Sequence, residues 1–178
     1  MRQTLERIYR EHRQGLFTLA LMLTGRAELA EDAVHEAFAR LLARGREPEG
    51  DPVAYVFASV RNAALDLRLR QARRAGMERS IFGFSWPDAM AGPGDKAERV
   101  EEFQRLRRAV EELDRPQREV VVLHALAHLT LAQVGQALDE PAATVATRYR
   151  RALEVLRRRM DTSHGRRPGT NAAATAAG

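Results

Sequence analysis

Apolar side chains recur every three or four residues along most of this chain, and each such stretch is closed by a glycine, a proline or a capping residue. Leu5, Ile8, Tyr9, Leu16, Leu19, Ala20 and Leu23 form the first stripe, with Thr4 as its N-cap and Gly25 as its stop. Ala30, Ala33, Val34, Ala37, Phe38, Leu41 and Leu42 form a second, which ends near Gly45. Its first turns carry Glu28, Glu31 and Asp32, where the helix dipole favours negative charge. Asp51-Pro52 then supplies a cap and a preferred first helical residue, and nothing interrupts the third helix before Gly76. A period near 3.6, only 6% aromatic residues and an abundance of Ala, Leu, Arg and Glu together predict an all-α fold.

The pattern lapses from about residue 80 to 95, where Gly, Pro and isolated large apolar residues read as a flexible linker between two small helical domains. A helix is expected from about Lys96 to Leu113, and Asp114, Arg115 and Pro116 open another that contains Val120, Leu123 and Leu126. Thr130 and Gln133 have capping-box spacing, and the short helix they open must end by Asp139 because Pro141 cannot lie inside it. Pro141 begins the next helix, whose buried stripe is Val145, Tyr149, Ala152 and Leu156. Thr144, Thr147, Arg148, Arg150 and Arg151 are left mostly outside. The tail from Asp161 has almost no large apolar residue and is expected to be disordered.

Lys and Arg outnumber Asp and Glu by 29 to 24, a formal charge of +5, which suits a polyanionic partner. The absence of Cys removes disulfides, thiolate zinc sites and cysteine nucleophiles, and fits a reducing compartment. No run approaches eighteen apolar residues, and the charged N-terminus lacks an apolar signal-peptide core, so a cytoplasmic location is expected. No glycine-rich phosphate loop, Ser-His-Asp order or nucleophile elbow is present, so neither catalysis nor a cofactor is expected. His124 and His128 lie four apart on one helix, which resembles half of a zinc-protease motif, but Ala125 stands where its glutamate base would be. No metal site is expected, and a helical metallohydrolase is kept as an alternative that bound zinc would reveal.

The segment from Leu131 to Arg151 has helix-turn-helix grammar: a short helix, a tight turn and a longer helix with Arg and Thr on its open face. A helix of this kind fits the major groove, where Arg can pair with guanine edges. The competing reading is a plain helical hairpin with a solvated basic face. Arg61, Arg68, Arg70, Arg73, Arg74 and Arg79 form a second basic cluster suited to phosphate. Tyr55 and Phe57 near it fit either base stacking or the core. The acidic set Glu28, Glu31, Asp32 and Glu36 fits the helix dipole or, as the functional alternative, contact with a partner protein.

Three stretches in this order, AEDAVHEAFARLL (Ala30 to Leu42), VRNAALDLRLRQARR (Val60 to Arg74) and Leu113 to Arg157, resemble the extracytoplasmic-function (ECF) sigma factors of bacterial RNA polymerase. The resemblance covers roughly Leu5 to Arg159. It implies a sigma region two over 1–79, a linker over 80–95, a region four over 96–160 and a tail over 161–178. It further implies that Asp32, His35, Glu36 and Ala39 face the clamp of core polymerase, with Phe38 and Leu42 in the core. Tyr55, Arg61, Asn62, Asp66, Arg68, Arg70, Arg73 and Arg74 would serve the minus-ten element, where a base leaves the stack. Thr144, Thr147, Arg148, Arg150 and Arg151 would serve the minus-thirty-five element, with Val145 structural. Core polymerase, promoter DNA and an anti-sigma factor are the partners so implied. His35, Glu140, Ala143 and Ala146 depart from the family's usual Gln, apolar residue, Gly and Lys. A DNA-binding regulator that acts without polymerase is the alternative; it would need no Asp32 face.

Overall fold

The computed structural model describes residues 1–45, 50–74, 105–106 and 108–164, with side chains considered as far as Asp161, and no strand occurs among them. Helices α1 (Arg2–Thr24), α2 (Ala27–Arg44) and α3 (Pro52–Arg74) form one group. Helix α4 (Arg115–Val121) runs into a π-turn over Val122–Leu126, and α5 (Leu131–Leu138) and α6 (Ala142–His164) complete a second. The all-α expectation holds. The 80–95 linker, the start of the helix expected from Lys96 and the tail after His164 lie outside the described residues.

Local chemistry accounts for most boundaries. Gly25 (φ 71°) and Gly45 (φ 66°) adopt the left-handed conformation that ends α1 and α2, and Gly25 N–H donates to the Leu21 carbonyl at 2.8 Å. Asp114 Oδ1 accepts from Gln117 N–H at 2.7 Å and caps α4, with Pro116 in its first turn. Two boundaries differ from expectation. Helix α1 begins at Arg2, ahead of Thr4, because Leu5 N–H already reaches the Met1 carbonyl at 3.0 Å. Helix α6 continues to His164, past Asp161, since the helical backbone satisfies its own hydrogen bonds there without needing an apolar stripe.

The two groups share a core. Leu16, Leu19, Leu23, Leu41, Phe57 and Val60 from α1–α3 belong to the same buried cluster as Val120, Val122, Leu123, Leu129, Val134 and Val145. Burying each large aliphatic side chain contributes about 1.5–3 kcal/mol, so this joint cluster is the dominant stabilising feature. A smaller cluster of Ala109, Val110, Leu113, Val121, Ala152 and Leu156 holds α6 against α4. Gly15 on α1 lies so close to the segment after the π-turn that a Cβ there would come 2.7 Å from Ala127 Cβ and 2.9 Å from Ala127 Cα.

Three residues placed in apolar stripes are not buried. Tyr9 and Leu42 are exposed, Leu42 to 48%, so Leu42 is not the core residue expected. They flank a groove of about 590 Å³ between α1 and α2 whose floor includes Phe38, and Tyr9 packs edge-on against Phe38 with ring centroids 5.3 Å apart. Leu126 is also exposed. The π-turn adds a residue to the i→i−5 ring closed by Ala127 N–H and the Val122 carbonyl at 2.9 Å, which rotates later side chains away from the α-helical stripe.

Candidate nucleic-acid interface

The turn between α5 and α6 is built from short-range polar contacts. Thr130 Oγ1 accepts from Gln133 N–H at 3.2 Å while Gln133 Oε1 accepts from Thr130 N–H at 2.9 Å, the capping box expected from the sequence. Asp139 (φ 57°) ends α5 in the left-handed conformation, and Glu140 N–H donates to the Gly135 carbonyl at 2.8 Å. A Cβ at residue 135 would meet the Glu140 carbonyl oxygen at 2.7 Å, so the turn closes this tightly only over glycine.

Val145, Ala152 and Leu156 turn inward from α6 and Tyr149 is half-buried. Thr144, Arg150 and Arg151 are exposed. Thr147 is half-buried, its hydroxyl donating to the Ala143 carbonyl at 3.0 Å. Arg148 is more covered than its stripe position suggests, with Nη1 at 2.7 Å from Glu140 Oε2. Thr144, Thr147, Arg148 and Arg151 line a groove of about 540 Å³ whose other wall includes Pro116 and Gln117. This is one open, basic and hydroxyl-bearing face on a helix whose other face is anchored in the core.

Helix α3 carries the second set. Asp51 caps it, with Oδ1 accepting from Val53 and Ala54 N–H at 2.8 and 3.0 Å, and Oδ2 accepting from Gln133 Nε2 at 2.9 Å. Burial raises the Asp51 pKa, but the Ala54, Gln133 and Val53 hydrogen bonds and the His12 charge outweigh it and hold the carboxyl below its ordinary value. Tyr55 is half-buried and its hydroxyl accepts from Arg44 Nη1 at 2.6 Å. Phe57 is fully buried, edge-on to His12, which decides for the core and against stacking on a base. Asn62, Asp66, Arg70, Arg73 and Arg74 are exposed. Arg68 donates to the Leu23 carbonyl at 2.8 Å, and burial, helped by the Arg115 and Arg118 charges, lowers its pKa.

Arg61 is differently placed. Its Nε meets Glu119 Oε2 at 2.8 Å, and Arg115 Nε meets the other oxygen at the same distance. Glu119 is 3% exposed and was not singled out from the sequence. Its signal was a lone carboxylate against the apolar run Val120–Leu123, which periodicity treats as noise.

On α2, Asp32, His35 and Ala39 are exposed together. Glu36, one turn from Asp32, pairs with Arg40 on its own helix and with Arg70 Nη2 of α3 at 3.1 Å. Arg40 also approaches Asp66 at 3.7 Å. The histidine pair is dispersed by the π-turn: His124 Nδ1 lies 2.6 Å from the Leu129 carbonyl and its ring packs edge-on to Tyr149, whereas exposed His128 has φ 59°. Residues four apart here do not share an α-helical face, which removes the basis of the metallohydrolase alternative.

The geometry defines a class: helical proteins that present a helix-turn-helix and a second, charged helix face on a common scaffold. Residues 8–75 match Sigma-70 region 2 and residues 103–156 match Sigma-70, region 4. The chain belongs to the sigma-70 family, in its ECF group. It is 31% identical over 155 residues to "Probable ECF RNA polymerase sigma factor SigI" of Mycobacterium tuberculosis, an alignment covering 82% of this chain and 52% of that protein. The chain thus spans about half the length of that relative. It is 24% identical over 169 residues to ECF RNA polymerase sigma factor SigX of Bacillus subtilis, covering 90% of this chain and 86% of SigX. Among solved structures, the sigma factor RpoE in complex with the anti-sigma factor NepR from Bartonella quintana superposes with a TM-score of 0.67 at 19% identity, covering 90% of this chain and 98% of that one. CnrH in complex with the cytosolic domain of CnrY gives 0.57 at 20%, covering 91% and 90%. At these identities the structures share the fold.

Proposed function

We propose that this chain is a promoter-specificity subunit: it binds core RNA polymerase and directs it to chosen promoters. The observation that carries the reading is the presence, on one chain, of matches to both sigma regions together with exposed Thr144, Arg150 and Arg151, and half-buried Thr147 and Arg148 beside them, on the second helix of a helix-turn-helix. No bond is made or broken by this protein. Its contribution is binding energy, with the polymerase as catalyst.

In this reading residues 1–79 serve the polymerase clamp and the minus-ten element, and 96–160 serve the minus-thirty-five element. Exposed Asp32, His35 and Ala39, with Glu36 beside them, form the polymerase face. Tyr55, Arg61, Asn62, Asp66, Arg68, Arg70, Arg73 and Arg74 serve the melted strand, where basic side chains meet phosphate and a captured base is held out of the stack. The related structures hold anti-sigma factors, which supports a similar inhibitor for this chain. No helix among the described residues is long and apolar enough to cross a membrane, and the protein acts in the cytoplasm, where its polymerase is.

In vitro transcription tests this directly. Core polymerase with and without the protein on a promoter library, followed by start-site mapping, should yield a set of starts that depends on the protein and shares two spaced elements. Equal transcription in both reactions, with duplex binding retained, would identify instead a regulator that works without polymerase.

A further inference from the structure

We infer that Glu140 is a specificity-determining positioning residue: it holds Arg148 so that this arginine reads a base edge rather than the phosphate backbone. The inference rests on the proposed recognition role of α6. Three observations carry it. Glu140 occupies the helix-turn-helix turn, its backbone locked by the hydrogen bond to the Gly135 carbonyl and by the close approach over Gly135. Its Oε2 is shut off from solvent, lies 2.7 Å from Arg148 Nη1 and has no aligned hydrogen-bond donor among the described residues. Arg148 lines the groove with Thr144, Thr147 and Arg151, yet its side chain is only 23% exposed.

An unheld arginine at this place would swing to whichever phosphate is nearest, because a long flexible cation gains most from the densest negative charge. Pairing with a carboxylate on a rigid turn changes both terms of that competition. The guanidinium is fixed before DNA arrives, so little rotamer freedom remains to be lost on binding. The pair is also formally neutral, so Arg148 gains little from counterion release. Its planar fork carries five N–H donors, and the Glu140 contact engages it at Nη1 alone, leaving others for a guanine edge. Held in this way, Arg148 contributes discrimination at one base pair and little general affinity.

The test uses holoenzyme reconstituted with core polymerase on a promoter library randomised across the upstream element, with binding measured over a salt series. Wild-type protein should prefer one base pair at a single position by roughly five- to 150-fold, and Arg148→Ala should erase that preference. Glu140→Gln keeps the shape and frees the arginine. It should reduce the preference to about threefold or less while steepening the salt slope by about one. Arg148→Lys retains the charge without the fork and should lose the preference too, which keeps the test open if Glu140→Gln folds poorly. In the Arg148→Ala background, Glu140→Gln should change neither readout, an outcome a merely structural role for Glu140 would not give.

A Glu140→Gln protein that keeps the full preference, or one whose effect persists without Arg148, overturns the inference. An Arg148→Ala protein with an unaltered preference overturns the recognition role of Arg148 itself, and the two failures are therefore distinguishable.

Discussion

Arg61 Nε and Glu119 Oε2 meet at 2.8 Å across fifty-eight residues of sequence, joining α3 to α4. The carboxylate is almost completely buried, and Arg61 and Arg115, exposed to 25% and 38% at their side chains, satisfy one oxygen each. Desolvating a carboxylate is unfavourable by several kcal/mol, and only two well-placed cations make that burial tolerable. This cluster ties the two helical groups together through Arg61, whose side chain stays partly exposed beyond the contact.

Removing the anion should therefore hurt more than its modest size suggests. Glu119→Ala leaves two half-buried guanidinium groups without a partner and should lower stability by about 3 kcal/mol, partial exposure of the arginines keeping the loss at the lower end for buried pairs. Glu119→Gln should lose less, since it retains the volume and one acceptor. Urea unfolding midpoints of the two variants decide this, and equal midpoints would show that solvent already screens the cluster.

Arg61 has two roles in this account, and they predict a divided phenotype. Arg61→Ala should lower the melting temperature, because Glu119 loses one of its two cations, and should also weaken capture of the unpaired strand. Asn62→Ala, exposed and outside that cluster, should weaken capture with an unchanged melting curve. Permanganate footprinting on intact and pre-melted promoters separates the steps. A defect in melting alone is rescued by the bubble, whereas a defect in capture is not.

Acid should loosen the start of α3. The Asp51 carboxyl titrates below the ordinary value of 3.8, so its contribution is complete above that value and disappears as pH falls through the lower, folded-state pKa. Asp51→Asn can still accept from Val53 and Ala54 but carries no charge, and should flatten this part of the pH dependence. Asp51→Ala should cost about 1–2 kcal/mol at neutral pH through the lost cap and the lost Gln133 contact. Unfolding midpoints between pH 2 and pH 6 for the three proteins provide the comparison.

Gly15→Ala sets propensity against packing. In a bare helix the change would stabilise by about 1 kcal/mol. Here the new methyl would press on Ala127 Cβ at 2.7 Å and on its backbone, with Phe57 Cζ a further 3.3 Å contact, and overpacking of this kind costs about 1–3 kcal/mol. The expected outcome is a net loss in thermal stability, largest in the contact between α1 and the π-turn. A raised melting temperature would mean that the two groups separate easily enough to accommodate the methyl.

The sequence determined the helices, most of their caps and the helix-turn-helix, because these depend on contacts within a few residues: Asp51 and Asp114 as caps, the Thr130–Gln133 box, and Val145, Ala152 and Leu156 at helical spacing. It placed Asp32, His35 and Ala39 on one open face for the same reason. Tertiary structure alone decided which of the large apolar side chains at helical spacing were buried. Phe57 became core because α1 closes over it, while Leu42 stayed exposed because nothing described in the structure closes over that end of α2. The π-turn, invisible in residue spacing, separated His124 from His128. Contacts from Glu119 to Arg61, from Gln133 to Asp51 and from Glu140 to Arg148 were likewise undetermined, since the energy of an ion pair or hydrogen bond depends on burial and on distances between helices that periodicity does not encode.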